Sequence, residues 1–178
     1  MGLTQETEEG AVMENEELTG YPPRRYLHRV SVNPSADHLC KVIVHNGGAL
    51  QAIRNTPFRK SVEAERVIAE DMKLLGFQHS VTNRKYTPLF KNGLNFEIDF
   101  YHPEFRVAVE VEKGEINNIW KNICKFAESP VIRHGVILVP VIRQGQQSSS
   151  EFYLNTLKRL CHIEKVFSFI DSLLIIGY

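Results

Sequence analysis

The sequence predicts an α/β fold built on a mixed sheet, and three observations carry that prediction. Two segments with alternating character, Leu94 to Tyr101 and Arg106 to Lys113, flank the turn His102-Pro103-Glu104-Phe105. Apolar residues then recur at helical spacing from Ile116 to Ala127, and a dense apolar run follows from Gly135 to Ile142. The first pair reads as an antiparallel hairpin. The strand, helix and buried strand that come next form a crossover, which makes the strands it joins parallel neighbours.

Length and composition bound the rest. The chain has 178 residues, 43% apolar and 24% charged, which suits one ordinary globular domain. Its longest apolar runs, such as Val136 to Ile142, fall far short of the roughly 20 residues a membrane span needs. No basic start with an apolar stretch and small-residue cleavage site stands near Met1, so no secretory signal is expected. Cys40, Cys124 and Cys161 are widely spaced and form no Cys-x-x-Cys pair, which argues against a disulfide framework or a cysteine-rich zinc site. A reduced, cytoplasmic protein is the expectation.

The net charge is zero, with 21 basic and 21 acidic residues, but it is unevenly spread. Glu6, Glu8, Glu9, Glu14, Glu16 and Glu17 all precede the first basic residue, Arg24, which leaves the remainder at about +6. An anionic partner fits that balance, although the same charge also serves solubility.

Residues 1–20 are acidic and lack apolar periodicity, so they are expected to form a mobile tail, with 21–178 as a single domain. Tyr21-Pro22-Pro23-Arg24-Arg25 marks the entry to that domain. Ser35 is placed to cap a short helix through about His45, which Asn46-Gly47-Gly48 would end. A longer helix is expected from Thr56-Pro57, cap and first helical position, to Gly76. At about 100° per residue, Phe58, Val62, Ile68, Ala69, Met72 and Leu75 form one stripe. Glu65 falls inside it, whereas Glu63 and Glu70 lie opposite. A glutamate on a core-facing stripe must be partnered, protonated or bound to a cation, unless the helix turns enough to leave it at the edge.

Phe77 to Thr82 and Lys85 to Lys91 read as strands around the turn Asn83-Arg84. In the hairpin that follows, Phe96, Ile98 and Phe100 alternate with Glu97, Asp99 and Tyr101, as a half-buried strand requires. In the return strand Val107, Val109 and Val111 alternate with Ala108, Glu110 and Glu112. Gly114 ends that strand, and Ser129-Pro130 stops the helix carrying Ile116, Ile119, Trp120, Ile123 and Ala127. Gln144 to Ser150 is a polar loop, Phe152 to Ile163 a helix and Val166 to Ile176 a final apolar stretch. Cys124 and Cys161 fall at positions expected to be buried.

If the turn pairs Tyr101 with Arg106, Asp99 lies opposite Ala108 and Glu97 opposite Glu110, so Asp99 and Glu110 become diagonal neighbours. Like charges gathered this way repel. A bound cation resolves the conflict, and full solvation of an exposed face is the alternative. Hard oxygen donors suit magnesium held by one or two carboxylates, water and substrate phosphate.

These residues resemble the PD-(D/E)xK nuclease superfamily, whose pattern is an acid ending one hairpin strand and an acid-x-lysine on the next. Asp99 matches the first acid and Glu110 the second, while Glu112 stands where the family usually has lysine. That glutamate is similar to the Bam/Bgl-type branch of type II restriction endonucleases, which also use a glutamate from a preceding helix; Glu65 is the match for it. The resemblance covers roughly Pro57 to Val141. It implies a restriction-endonuclease-like core, a central mixed sheet flanked by helices, and metal-dependent hydrolysis of phosphodiesters in double-stranded DNA by a homodimer with Mg2+ or, as a substitute, Mn2+.

The resemblance assigns Asp99, Glu110 and Glu65 to the metal. Glu112 would bind a second ion or accept a proton from the attacking water. Lys113 sits one residue beyond the family's lysine, and strand alternation aims it away from Glu110 and Glu112; either a bulge returns it to the site or, the favoured reading, it serves the nucleic-acid backbone. Asn118, Lys121, Asn122 and Lys125 on the following helix are candidates to meet phosphates or bases, with a solvated face as the alternative. Arg84 and Lys85 at a turn, and Arg59-Lys60, are further phosphate candidates. Trp120 is read as core, and His102 as having no catalytic role. A nuclease of restriction type is the leading reading. A junction-resolving or repair nuclease, an inactive nucleic-acid-binding module of the same fold and an interaction domain using the acidic tail are the competitors.

Overall fold

The structure, a computed structural model, describes residues 33–56, 59–91, 93–113, 115–144, 149–160 and 165–178, together with the backbone of 24–28. The expected N-terminal tail, Pro57, Phe58 and Cys161 lie outside the described residues. Among the described residues, six strands form one sheet. They are β1 (Arg24–His28), β2 (Gln78–Val81), β3 (Ile98–His102), β4 (Val107–Val111), β5 (His134–Val139) and β8 (Ser172–Gly177), in the order β1-β8-β5-β4-β3-β2. Two further strands among the described residues, β6 (Arg143–Gln144) and β7 (Ser149–Ser150), pair as a small separate ribbon inside the expected polar loop.

The expected mixed sheet is present. β3 and β4 are antiparallel, β4 and β5 parallel, β5 and β8 parallel, and β1 closes the far edge antiparallel to β8. Two helical layers cover it. On one face lie α1 (Ala36–His45), α2 (Gly47–Asn55) and α3 (Ser61–Leu74), packed on Phe100, Val107, Val109, Val111, Val136, Leu138, Leu174 and Ile176. On the other lie α4 (Ile116–Glu128) and α5 (Phe152–Leu160), packed on Tyr101, Ala108, Ile137, Val139, Leu173 and Ile175. With both faces covered, every residue of β4 is buried, so the half-exposed hairpin expected from alternation is instead a central one. No helix among the described residues is long and apolar enough to cross a membrane.

Several local expectations change for physical reasons. Gly47 and Gly48 do not end a helix in a loop; they open α2, which starts directly after α1. Ser35 precedes α1 as expected but makes no side-chain capping bond. Thr56 closes α2, with its hydroxyl on the Ala52 carbonyl, and α3 begins later, behind Lys60. Glu63 accepts from the Lys60 backbone N–H at the head of the helix and pairs with Arg59. Gly76, at φ +90°, ends the α3 region in a backbone conformation that favours glycine, with His102 close against it.

Lys85 to Lys91 is not a strand. The Asn83 side chain bonds both the N–H and the carbonyl of Phe90, and Thr87 bonds the Asn83 carbonyl, so the segment closes on itself as a stapled loop. Cys124, expected buried, is exposed on the outer side of α4.

The hairpin register also differs. His102 pairs with Val107, Tyr101 with Ala108 and Phe100 with Val109. Arg106 is therefore a turn residue, not a strand residue. It takes φ +56°, and its guanidinium donates to the carbonyls of Val131 and Pro130 while its own carbonyl accepts from Arg133 and His134. These bonds tie the turn to the start of β5 and fix the register by two residues from the expected one.

Candidate active site

The site grows from that register. The last pair of the β3–β4 ladder is Phe100–Val109, and that register carried one step further sets Asp99 against Glu110 and not against Ala108. There the Asp99 carboxylate, in place of a backbone carbonyl, accepts the Val111 N–H at 2.7 Å. Both side chains share the face of Ala108 and Tyr101, under α4. Glu112 follows on the same face, its backbone N–H still paired to Leu138 at 2.8 Å. The Tyr178 hydroxyl donates to the Glu112 carbonyl at 2.7 Å and anchors this end of the strand.

Helix α4 crosses over these carboxylates with an inward polar stripe. Asn122 Nδ2 donates to Glu112 Oε1 at 2.6 Å, and Asn118 Nδ2 to Oε2 at 3.2 Å. Lys125 Nζ donates to both oxygens of Glu110, at 2.9 and 2.7 Å, in an ion pair with Lys125 8% and Glu110 3% exposed. Asn118, Asn122 and Lys125 are spaced i, i+4, i+7, which sets them on one line of the helix. The sequence reading placed this stripe toward phosphates, bases or solvent; the structure turns it onto Glu110 and Glu112. The pairing of Lys125 with Glu110 and of Asn122 with Glu112 is what the sequence does not disclose, and the signal that marks it is this spacing beside the apolar Ile119, Ile123 and Phe126.

Glu65 arrives from α3, in the other helical layer. It is buried, as its place on the stripe predicts, and its Oε2 lies 3.6 Å from His79 Nε2. Burial pushes its carboxyl up to about 7, with the charges of Asp99 and Glu97 adding to the shift. Burial also raises Asp99 against the opposing Val111 N–H. It raises Glu110 well above the carboxylate range despite Lys125, and raises Glu112 despite its two asparagine amides. Four desolvated carboxyls thus share one ammonium. That donor set, hard oxygens with excess negative charge, fits a divalent cation.

No three His, Cys, Asp or Glu side chains among the described residues are grouped to hold a metal ion, so a full cage of protein ligands is absent there. Two carboxylates completed by water and phosphate are what magnesium commonly uses.

The remaining candidates divide. Arg84 and Lys121 are exposed. Lys85 is exposed too, with its ammonium on the His79 carbonyl at 3.0 Å. Lys113 points away from the acids, as alternation predicts, and bonds the Thr56 carbonyl at 2.7 Å. His102 is buried, stacked on Phe105 and edge-on to Phe77, and its Nδ1 accepts the Phe105 N–H. Trp120 is partly buried against the core.

Comparison with solved structures finds the fold in restriction endonuclease BglII complexed with a DNA 16-mer. The match has a TM-score of 0.50 and 13% sequence identity, and covers 86% of this chain and 75% of that one. At that identity the likeness is one of architecture. A comparison with curated proteins finds no match. Residues 13–178 match the family model described as "Putative halobacteria restriction endonuclease", and the chain belongs to that restriction endonuclease family.

Proposed function

We propose that this protein is a divalent-metal-dependent DNA endonuclease of type II restriction character, acting in the cytoplasm as a homodimer with one site per strand. The observation that carries the reading is Asp99 facing Glu110 across the hairpin, desolvated beneath α4. Family membership supports it. So does the fold of BglII, which was captured on DNA. Glutamate at position 112 with Glu65 supplied from the helix before the hairpin favours the Bam/Bgl-type branch.

Asp99 and Glu110 would hold the metal, Mg2+ or Mn2+, which when bound supplies charge stabilisation at the phosphate and an activated water. Hydrolysis forms a bond from water oxygen to phosphorus and breaks the bond from phosphorus to one sugar oxygen; the water's proton leaves to a base and the departing oxygen gains one. Glu65, with its affinity for a proton near neutrality, is suited to orient that water and take its proton. Glu112 is held on both oxygens by Asn118 and Asn122, so its work is to fix α4 over the site, not to carry a proton. Arg84, Lys85, Lys113 and Lys121 are assigned to DNA phosphates; Asn118 is reassigned to Glu112.

One observation favours a second reading, a DNA-binding module without chemistry: Lys125 and the two amides already satisfy Glu110 and Glu112 without metal. Plasmid cleavage in Mg2+, with Ca2+, chelator and Asp99→Ala controls, decides between them. Magnesium-dependent products lost in Asp99→Ala support the nuclease. DNA binding with no cleavage, and no metal uptake by calorimetry, supports the module.

A further inference from the structure

We infer that Lys125 is a further catalytic residue, whose ammonium contacts the scissile phosphate and supplies the positive charge that the hairpin itself lacks. This rests on the nuclease reading above. Two positions on the hairpin end come nearest to offering a cation, and neither provides one. Position 112 is a glutamate with both oxygens taken by amides, and Lys113 is turned to the Thr56 carbonyl on the other side of the strand. The charge comes instead from the next helix. Glu112 grips Asn118 and Asn122, and one turn further on that grip delivers Lys125 to Glu110.

The position is central in the site. The charge of Lys125 acts on Glu65, Asp99, Glu110 and Glu112 alike. An ammonium has three N–H donors, and the two bonds that Lys125 makes both go to Glu110, which leaves one for a phosphate oxygen. A buried ion pair is also a poor choice for stability alone, since apolar residues of like volume serve as well or better. Beside a proposed metal ligand, a fixed ammonium places charge where the phosphate must sit and loses no proton during the reaction.

The test uses the full chain with Lys125→Gln, Lys125→Arg and the double variant Glu112→Lys/Lys125→Gln. Each is assayed for single-turnover cleavage in Mg2+, for Ca2+ binding by calorimetry and for the salt dependence of DNA affinity in Ca2+. Lys125→Gln is expected to lower cleavage at least 100-fold while Ca2+ still binds, and to reduce the slope of log affinity against log salt by about one. Lys125→Arg keeps the slope. The double variant, which returns the lysine to the strand, recovers at least tenfold over Lys125→Gln.

Cleavage by Lys125→Gln within threefold of the parent overturns the proposal, as does a slope unchanged from the parent. Loss of Ca2+ binding in Lys125→Gln also overturns it, since Lys125 would then act only by positioning Glu110. If Lys125→Gln does not fold, the Lys125→Arg slope decides: a fall of about one refutes a phosphate contact by charge. A parent that binds DNA but never cleaves refutes the nuclease reading, and the salt slope still decides whether Lys125 meets phosphate.

Discussion

Replacing Asp99 by asparagine should move activity and stability in opposite directions, and the structure sets the size of each. The Asp99 carboxylate does two things: it accepts the Val111 N–H at 2.7 Å, and it places a second negative charge across from Glu110. Asparagine keeps an acceptor oxygen for Val111 and removes the charge. Opposed residues on paired strands stand about 5 Å apart, where two unit charges at an effective dielectric near 20 repel by about 3 kcal/mol. Lys125 on Glu110 offsets much of that, so the metal-free variant should gain about 1 kcal/mol in urea unfolding. Loss of a charged metal ligand should at the same time cost about three decades in cleavage, or about 4 kcal/mol of transition-state stabilisation. Asp99→Ala separates the two roles. It removes the same charge but leaves the Val111 N–H without its acceptor, at a cost of about 1 kcal/mol, so it should be less stable than Asp99→Asn and equally inactive. Cleavage within tenfold of the parent, or asparagine and alanine variants of equal stability, would refute the reasoning.

Three further outcomes follow from the same geometry. Glu65 holds its proton up to about pH 7 in the folded chain and releases it near 4.5 when unfolded. The folded state therefore binds more protons between those values, and metal-free stability should fall by about 1 kcal/mol, allowing for solvent screening, as pH rises through that window. Urea midpoints at pH 5 and 7.5 in chelator check this, and Glu65→Gln should reduce the fall, the raised carboxyls of Asp99, Glu110 and Glu112 carrying the rest. Asn122→Ala leaves a buried Glu112 oxygen without its 2.6 Å donor and should cost about 1–3 kcal/mol, with cleavage down about 10–100-fold because α4 loses its hold on the strand; thermal melts beside rate measurements read both. Gly135→Ala would drive a methyl against the Phe126 ring, whose Cε2 lies 2.7 Å from the added carbon, and should cost about 1–3 kcal/mol while shifting α4 away from Glu110; unchanged stability and unchanged cleavage would show that the helix is not seated by this contact.

The parts of the fold that could be read from sequence are those set by local period. The crossover from β4 through α4 to β5 follows from alternation, then a 3.6-residue repeat, then a dense apolar run, and it appears as a parallel pair. Elements fixed by distant partners were hidden. β1 is an edge strand whose pairing lies with β8, about 150 residues later in the chain, and nothing near Arg24 announces it. Lys85 to Lys91 has strand-like composition, yet its backbone groups are claimed by the Asn83 side chain, and local bonding of that kind overrides propensity. Gly47 and Gly48 look like helix terminators, but the packing of Leu50 in the core holds them at the start of α2.

The same distinction explains the site. The expected register was wrong by two residues, yet Asp99 and Glu110 still share a face, because side-chain direction has a period of two and an even slip preserves it. An odd slip would have sent the acids to opposite layers, so parity was the robust part of the expectation and opposition the fragile part. Glu65 was legible for a related reason: an acid inside an apolar stripe requires compensation wherever the helix docks. Lys125 was not, because a polar line on a helix has the same spacing whether it meets solvent or a buried carboxylate. What decides between them is the rotation of α4 over the sheet, which depends on contacts such as Phe126 against Gly135 that join distant segments. Once the sheet is formed, two buried acids at alternate positions of a covered strand, Glu110 and Glu112, require donors from the helix above. Asn118, Asn122 and Lys125 are the inward polar residues of α4 that meet them.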